Sequence, residues 1–112
     1  PYLLVAEWLF LLLPLIFHSV YGLFITGPAV RNLNTAVRHP YERNIAYFFQ
    51  RLSGIIAFAY LAFHIVNTRM WALFIKQDHI TFQDMAEKIS QPHQLVIYVV
   101  GILAVCYHFT NG

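Results

Sequence analysis

Charge and cysteine are the two things this 112-residue chain has little of. Only 11% of its residues are Asp, Glu, Lys or Arg, against about a quarter in soluble domains. So few charges cannot cover a water-facing surface, which excludes an ordinary soluble domain and points to lipid as the solvent. A single cysteine, Cys106, rules out an internal disulfide and a cysteine-based zinc site. No Gly-rich dinucleotide fingerprint occurs, nor any flavin or iron–sulfur ligand set, so the chain is not expected to oxidise a substrate by itself. The net charge of +2 is small and the basic residues lie in loops, which speaks against a nucleic-acid patch. Repeats and low-complexity tracts are absent. The chain starts at Pro1 without a methionine and stops at Asn111-Gly112 just after an apolar run, and is expected to be a piece of a longer one. Its first apolar segment is too long for a signal peptide and lacks both a basic leader and a small-residue cleavage site.

What is abundant is apolar sequence: 59% of residues are hydrophobic and 17% aromatic, gathered in long blocks. A hydrocarbon core of about 30 Å takes about 20 residues at 1.5 Å each. Three segments pass that test, at 3–26, 46–75 and 93–112. The expected fold is all-α, a transmembrane helical bundle forming a single domain over 1–112. Pro14 falls inside the first segment, where a membrane helix tolerates it because neighbouring groups satisfy the freed carbonyl. Between the second and third segments, Thr81-Phe82-Gln83-Asp84 resembles a capping box, with Met85 and Ile89 following Phe82 at helical spacing. That pattern predicts a short amphipathic helix over 82–90 on the membrane surface. The first loop, with Arg31, Arg38 and Arg43 and with Arg51 just beyond it, is more compactly basic than the second, with Arg69, Lys76 and Lys88. This places the first loop in the cytoplasm. The first segment then descends, the second rises and the third descends.

Six histidines are present. His39, His79 and His93 stand in loops or at a helix edge beside prolines and charges, and read as solvated. His18, His64 and His108 lie within the apolar segments, where ionisable groups are costly and usually functional. One such histidine alone often only hydrogen-bonds a neighbouring helix; three together weigh differently. Fifteen positions separate Leu3 from His18, and fifteen separate His93 from His108. Both helices descend, so these two histidines reach similar depths. His64 falls five positions before Arg69, in the outer half, about 10 Å from that pair at 1.5 Å per residue. Counting from Glu7 instead would move His18 to the midplane.

Two imidazoles at one level on different helices can clasp a haem iron from both faces. His64 has no level-matched partner in this chain. Gly22 shares a face with His18, and Gly101 shares one with His108. Ser53, Ala57 and His64 form a stripe with Gly54 beside it. These small residues leave room for a flat macrocycle, or serve close helix packing. Zinc would need three or four clustered ligands that the sequence does not supply.

The strings LPLIFHSVYGLFI around His18, FFQRLSGIIAFAYLAFHIVNTR around His64 and YHFTNG around His108 resemble one family. It is the cytochrome b subunit of succinate dehydrogenases and fumarate reductases, in its single-chain dihaem form. The resemblance covers essentially the whole chain, in order and spacing. It implies five membrane helices in the complete protein, of which these are the second, third and fourth. It also implies a membrane anchor for flavoprotein and iron–sulfur subunits in a bacterial cytoplasmic membrane. Two haems b would pass electrons between the iron–sulfur subunit and a quinone, often menaquinone. His18 and His108 match the ligands of the inner haem. His64 matches one ligand of the outer haem, whose other ligand lies on the first helix.

Tyr47, Gln50 and Arg51 fall at the cytoplasmic start of the second segment, where propionates of the inner haem would be met. Arg51 is equally a membrane-edge anchor. Arg69 would serve the outer haem or the quinone. Glu7 would relay quinone protons or act as an interfacial acid. Some relatives carry a glutamate two residues before the histidine matched by His108; here that position is Cys106, which puts that proton path in doubt. A haem-free structural anchor is the alternative. A transporter with a histidine relay is a third class, disfavoured by the lack of a chain of acids and of broken helices beyond Pro14.

Overall fold

The computed structural model describes residues 2–30 and 42–112, without the side chains of 29, 30 and 42–44. Arg31, Arg38 and His39, on which part of the topology expectation rests, lie outside the described residues, as do the side chains of Glu42 and Arg43. Among the described residues every regular element is a helix. Three helices are long and apolar enough to cross a membrane: Tyr2–Pro28, Ile45–Lys76 and Pro92–Asn111. A fourth, Phe82–Ser90, is short and amphipathic. The fold is therefore an all-α membrane fold. The chain divides into two compact units, Pro1–Phe48 and Phe49–Gly112.

In the first unit the span is apolar all round. Phe10 is 82% exposed and Phe24 77%, as suits a helix whose solvent is lipid. Its hydroxyls turn back onto their own helix, Ser19 Oγ donating to Leu15 O and Thr26 Oγ1 to Gly22 O at 2.7 and 2.8 Å. The Ser19 and Thr26 hydroxyls are thus satisfied without water. The helix widens to π geometry over Glu7–Leu12, with Leu13 N–H donating to Trp8 O. Proline has no N–H and its ring crowds the carbonyl four residues earlier. A wider turn just before Pro14 relieves that crowding, and the helix runs on to Val30.

In the second unit the second and third spans run antiparallel. The register can be followed through four contacts: Gln50 with His108, Tyr60 with Gly101, His64 with Tyr98, and Asn67 with Gln94. The buried residues along this seam are mostly small: Ser53, Ala57, Gly101 and Ala104. Small side chains let two membrane helices approach closely. The approach is tight at two glycines. A Cβ on Gly101 would lie 2.1 Å from the Tyr60 ring, and one on Gly54 would lie 2.8 Å from His108 Cε1.

The second span is α-helical over Glu42–Ile65, then π-helical over Val66–Met70 and Ala72–Lys76. It ends at Gln77, which takes the left-handed conformation at φ 56°, a common way of closing a helix. The helix Phe82–Ser90 starts from a complete capping box formed by Thr81 and Asp84. It is latched to the second span by an ion pair from Lys76 to Asp84 and by Lys88, whose ammonium donates to Asn67 O. Lys88 Nζ also lies 4.0 Å from the centre of the Trp71 ring, within cation–π range. Burial lowers the Lys88 pKa, and the nearby Asp84 charge partly offsets this. Pro92 opens the third span at the first helical position, where a missing N–H costs nothing.

Candidate haem-ligand site

His108 belongs to the last turn of the third span, and its position is set by Gln50. The two residues bond reciprocally. Gln50 Nε2 donates to His108 O, and His108 Nδ1 meets Gln50 O, both at 3.0 Å. A carbonyl oxygen can only accept, so Nδ1 must carry the proton. The neutral ring's lone pair then lies on Nε2. The same carbonyl accepts Ser53 Oγ at 3.0 Å. Gly54 completes the cradle, since any side chain there would meet the imidazole. A histidine whose Nδ1–H is held by a backbone carbonyl has the usual arrangement of one that ligates a metal through Nε2.

His64 sits at the other end of the seam, half-buried. Its Nδ1 is 3.2 Å from Tyr98 Oη. Two aromatic rings lie against it, and a third backs one of them. Tyr60 stacks on the imidazole at 5.9 Å, Tyr98 meets it edge-on at 5.7 Å, and Phe63 packs edge-on against Tyr98. Tyr98 is 7% exposed. The π-helical stretch begins two residues after His64, and Thr68 Oγ1 takes up the His64 carbonyl at 2.6 Å. Widened turns of this kind often occur at functional positions.

The two histidines do not share a level. His64 is opposite Tyr98, and the helix from Tyr98 to His108 rises about 15 Å at 1.5 Å per residue. Counting depth from assumed membrane edges leads to about 10 Å instead; the contact register counts it directly. His64 and His108 are therefore too far apart to share one metal ion.

His18 is exposed on the first unit. Tyr47 is exposed, while Arg51 and Arg69 are half-buried, Arg69 within the π-helical stretch Val66–Met70. Glu7 is half-buried at the start of the first π-helical stretch. Cys106, His79 and His93 are exposed. Among the described residues, no three His, Cys, Asp or Glu side chains gather as a metal cluster would require.

Sequence reasoning missed Tyr60 and Tyr98 beside His64, and the positioning role of Gln50. Tyr60 was signalled by its four-residue spacing from His64. Tyr98 and the Gln50 carbonyl appear only once the register of the two spans is known.

Three long apolar helices, each carrying at least one histidine, two of these histidines with a ring nitrogen held across a helix seam, define a multi-span membrane protein. The chain belongs to the succinate dehydrogenase/fumarate reductase transmembrane subunit family, whose description matches residues 31–112. It is 36% identical over 112 residues to the succinate dehydrogenase cytochrome b558 subunit of Bacillus subtilis (strain 168), covering 100% of this chain and 53% of that protein. The chain thus spans about half the length of that relative. No solved structure matches it.

Proposed function

We propose that this chain is part of a cytochrome b membrane anchor of a succinate:quinone oxidoreductase, holding haem b through its intramembrane histidines. His108 and His18 ligate the inner haem and His64 ligates the outer one, whose second ligand comes from another helix. Residues 1–112 belong to one haem-binding domain on this reading. The observation carrying this reading is the Nδ1–H of His108 donated to Gln50 O, which leaves Nε2 as the ligating atom. The donor set also fits, because b-type haem needs one histidine per face rather than the clustered ligands of zinc. The name of the Bacillus subtilis relative, cytochrome b558, agrees with haem b.

Bound haem b supplies a one-electron couple between an iron–sulfur subunit and a quinone, here menaquinone. This chain's residues orient and insulate. Arg51 and Tyr47 neutralise and anchor inner propionates. Arg69 does the same at the outer haem or binds the quinone headgroup. The apolar spans exclude water from both irons. The partners are a flavoprotein and an iron–sulfur subunit, docked on the cytoplasmic face of a bacterial inner membrane.

A haem-free anchor is the second reading. It is favoured by the way Gly54 and Gly101 already receive the rings of His108 and Tyr60, as plain helix packing would have it. A reduced-minus-oxidised visible spectrum of the full-length protein in its membrane decides between them. Sharp b-type α bands support haem ligation; a flat spectrum leaves the structural anchor.

A further inference from the structure

We propose that Gln50 and Gly54 together form a positioning device for His108, one that sets the orientation and basicity of its imidazole. This rests on the reading that His108 ligates haem, and extends it to residues that are not iron ligands. Three contacts converge on one residue, two on its ring and one on its backbone. The Gln50 carbonyl fixes the tautomer by accepting from Nδ1 at 3.0 Å. The Gln50 amide grips the His108 backbone by donating to its carbonyl at 3.0 Å, so the final helical turn that carries the ring is tied to the second span. Gly54 leaves the slot in which the ring lies, with Cε1 and Nδ1 at 2.8 and 3.1 Å from where a Cβ would be.

The ring is thus held by hydrogen bonding on one edge and by steric fit on one face. An acceptor bonded to Nδ1–H makes Nε2 a stronger donor to the metal, and a fixed ring plane sets its overlap with the iron. Such partners commonly change metal affinity 10–100-fold when lost. The same close packing at Gly101 involves Tyr60, the neighbour of His64, and so provides an internal comparison at the other site.

The test uses the full-length subunit in its assembled membrane complex, with haem content, α-band position and the midpoint potential of each haem as readouts. Gly54→Ala pushes the ring out of its slot, and Gln50→Glu removes the amide donor without changing size. Both are expected to shift the potential and α band of the His108 haem, with haem content reduced up to tenfold, while the His64 haem stays as it was. Gly101→Ala is expected to do the reverse, disturbing the His64 haem. His108→Ala must remove one haem altogether; if it removes none, the haem reading itself fails. If His108→Ala removes a haem but Gly54→Ala and Gln50→Glu leave its potential and band unchanged, the positioning role is overturned and ligation stands. Equal disturbance of both haems by Gly54→Ala also overturns it, as general loss of packing. Should Gly54→Ala fail to assemble, Gln50→Glu decides alone.

Discussion

Tyr98 is the buried residue on which the second candidate ligand leans. Its hydroxyl stands 3.2 Å from His64 Nδ1, and a hydroxyl can either donate or accept. Ligation through His64 Nε2 requires that it accept. Tyr98→Phe keeps the ring cluster and removes only that oxygen, a loss of about 1 kcal/mol in stability. The expected result is a full haem complement with a shifted outer-haem potential, measured by redox titration; an unmoved potential would show that the contact carries nothing. His18, His64 and His108 were legible in sequence because an imidazole in an apolar run is conspicuous on its own. Their partners were not. A backbone carbonyl has no sequence signature, and a tyrosine among seven tyrosines gains meaning only from what lies opposite it.

The helix Phe82–Ser90 shows the opposite case, an element whose start was written in four residues. Thr81 accepts from Asp84 N–H, and Asp84 accepts from Thr81 N–H at 2.7 Å. Thr81→Ala is expected to destabilise this helix by about 1 kcal/mol, seen as faster amide hydrogen exchange over 82–90 with the spans unchanged.

Acid acts on the same cap. The Lys76 hydrogen bond first, then the Thr81 hydroxyl and N–H, hold the Asp84 carboxyl well below the usual carboxylate range. A depressed folded-state pKa means stabilisation that is fully present above the unfolded value and lost as pH falls through the folded one. Exchange protection over 82–90 should therefore be flat near neutrality and persist into the ordinary carboxylate range. It should fall only at lower pH; loss at neutral pH would contradict the assignment. The widened turn at Glu7–Leu12 was not legible, since proline strain marks where a helix must adapt but not how; the one at Val66–Met70 has no proline near it to mark it.

The described residues bury little of their own surface. Among the described residues no large side chain is fully buried, and the buried apolar residues are Ala57, Ala72, Tyr98 and Ala104. Three long apolar helices were legible from block length alone. Their register was not, because apolar surfaces that face lipid on most sides do not specify which stripe meets which. That register sets His64 and His108 about 15 Å apart along the seam at 1.5 Å per residue, too far for one iron. The proposed haem ligation therefore requires two sites.

The direct measurement is a redox titration of the haem bands in full-length protein carrying His18→Ala, His64→Ala or His108→Ala. The His18 and His108 variants are expected to lose the same component and the His64 variant a different one. Loss of different components by the His18 and His108 variants, or three unaltered titrations, would contradict the proposed ligation.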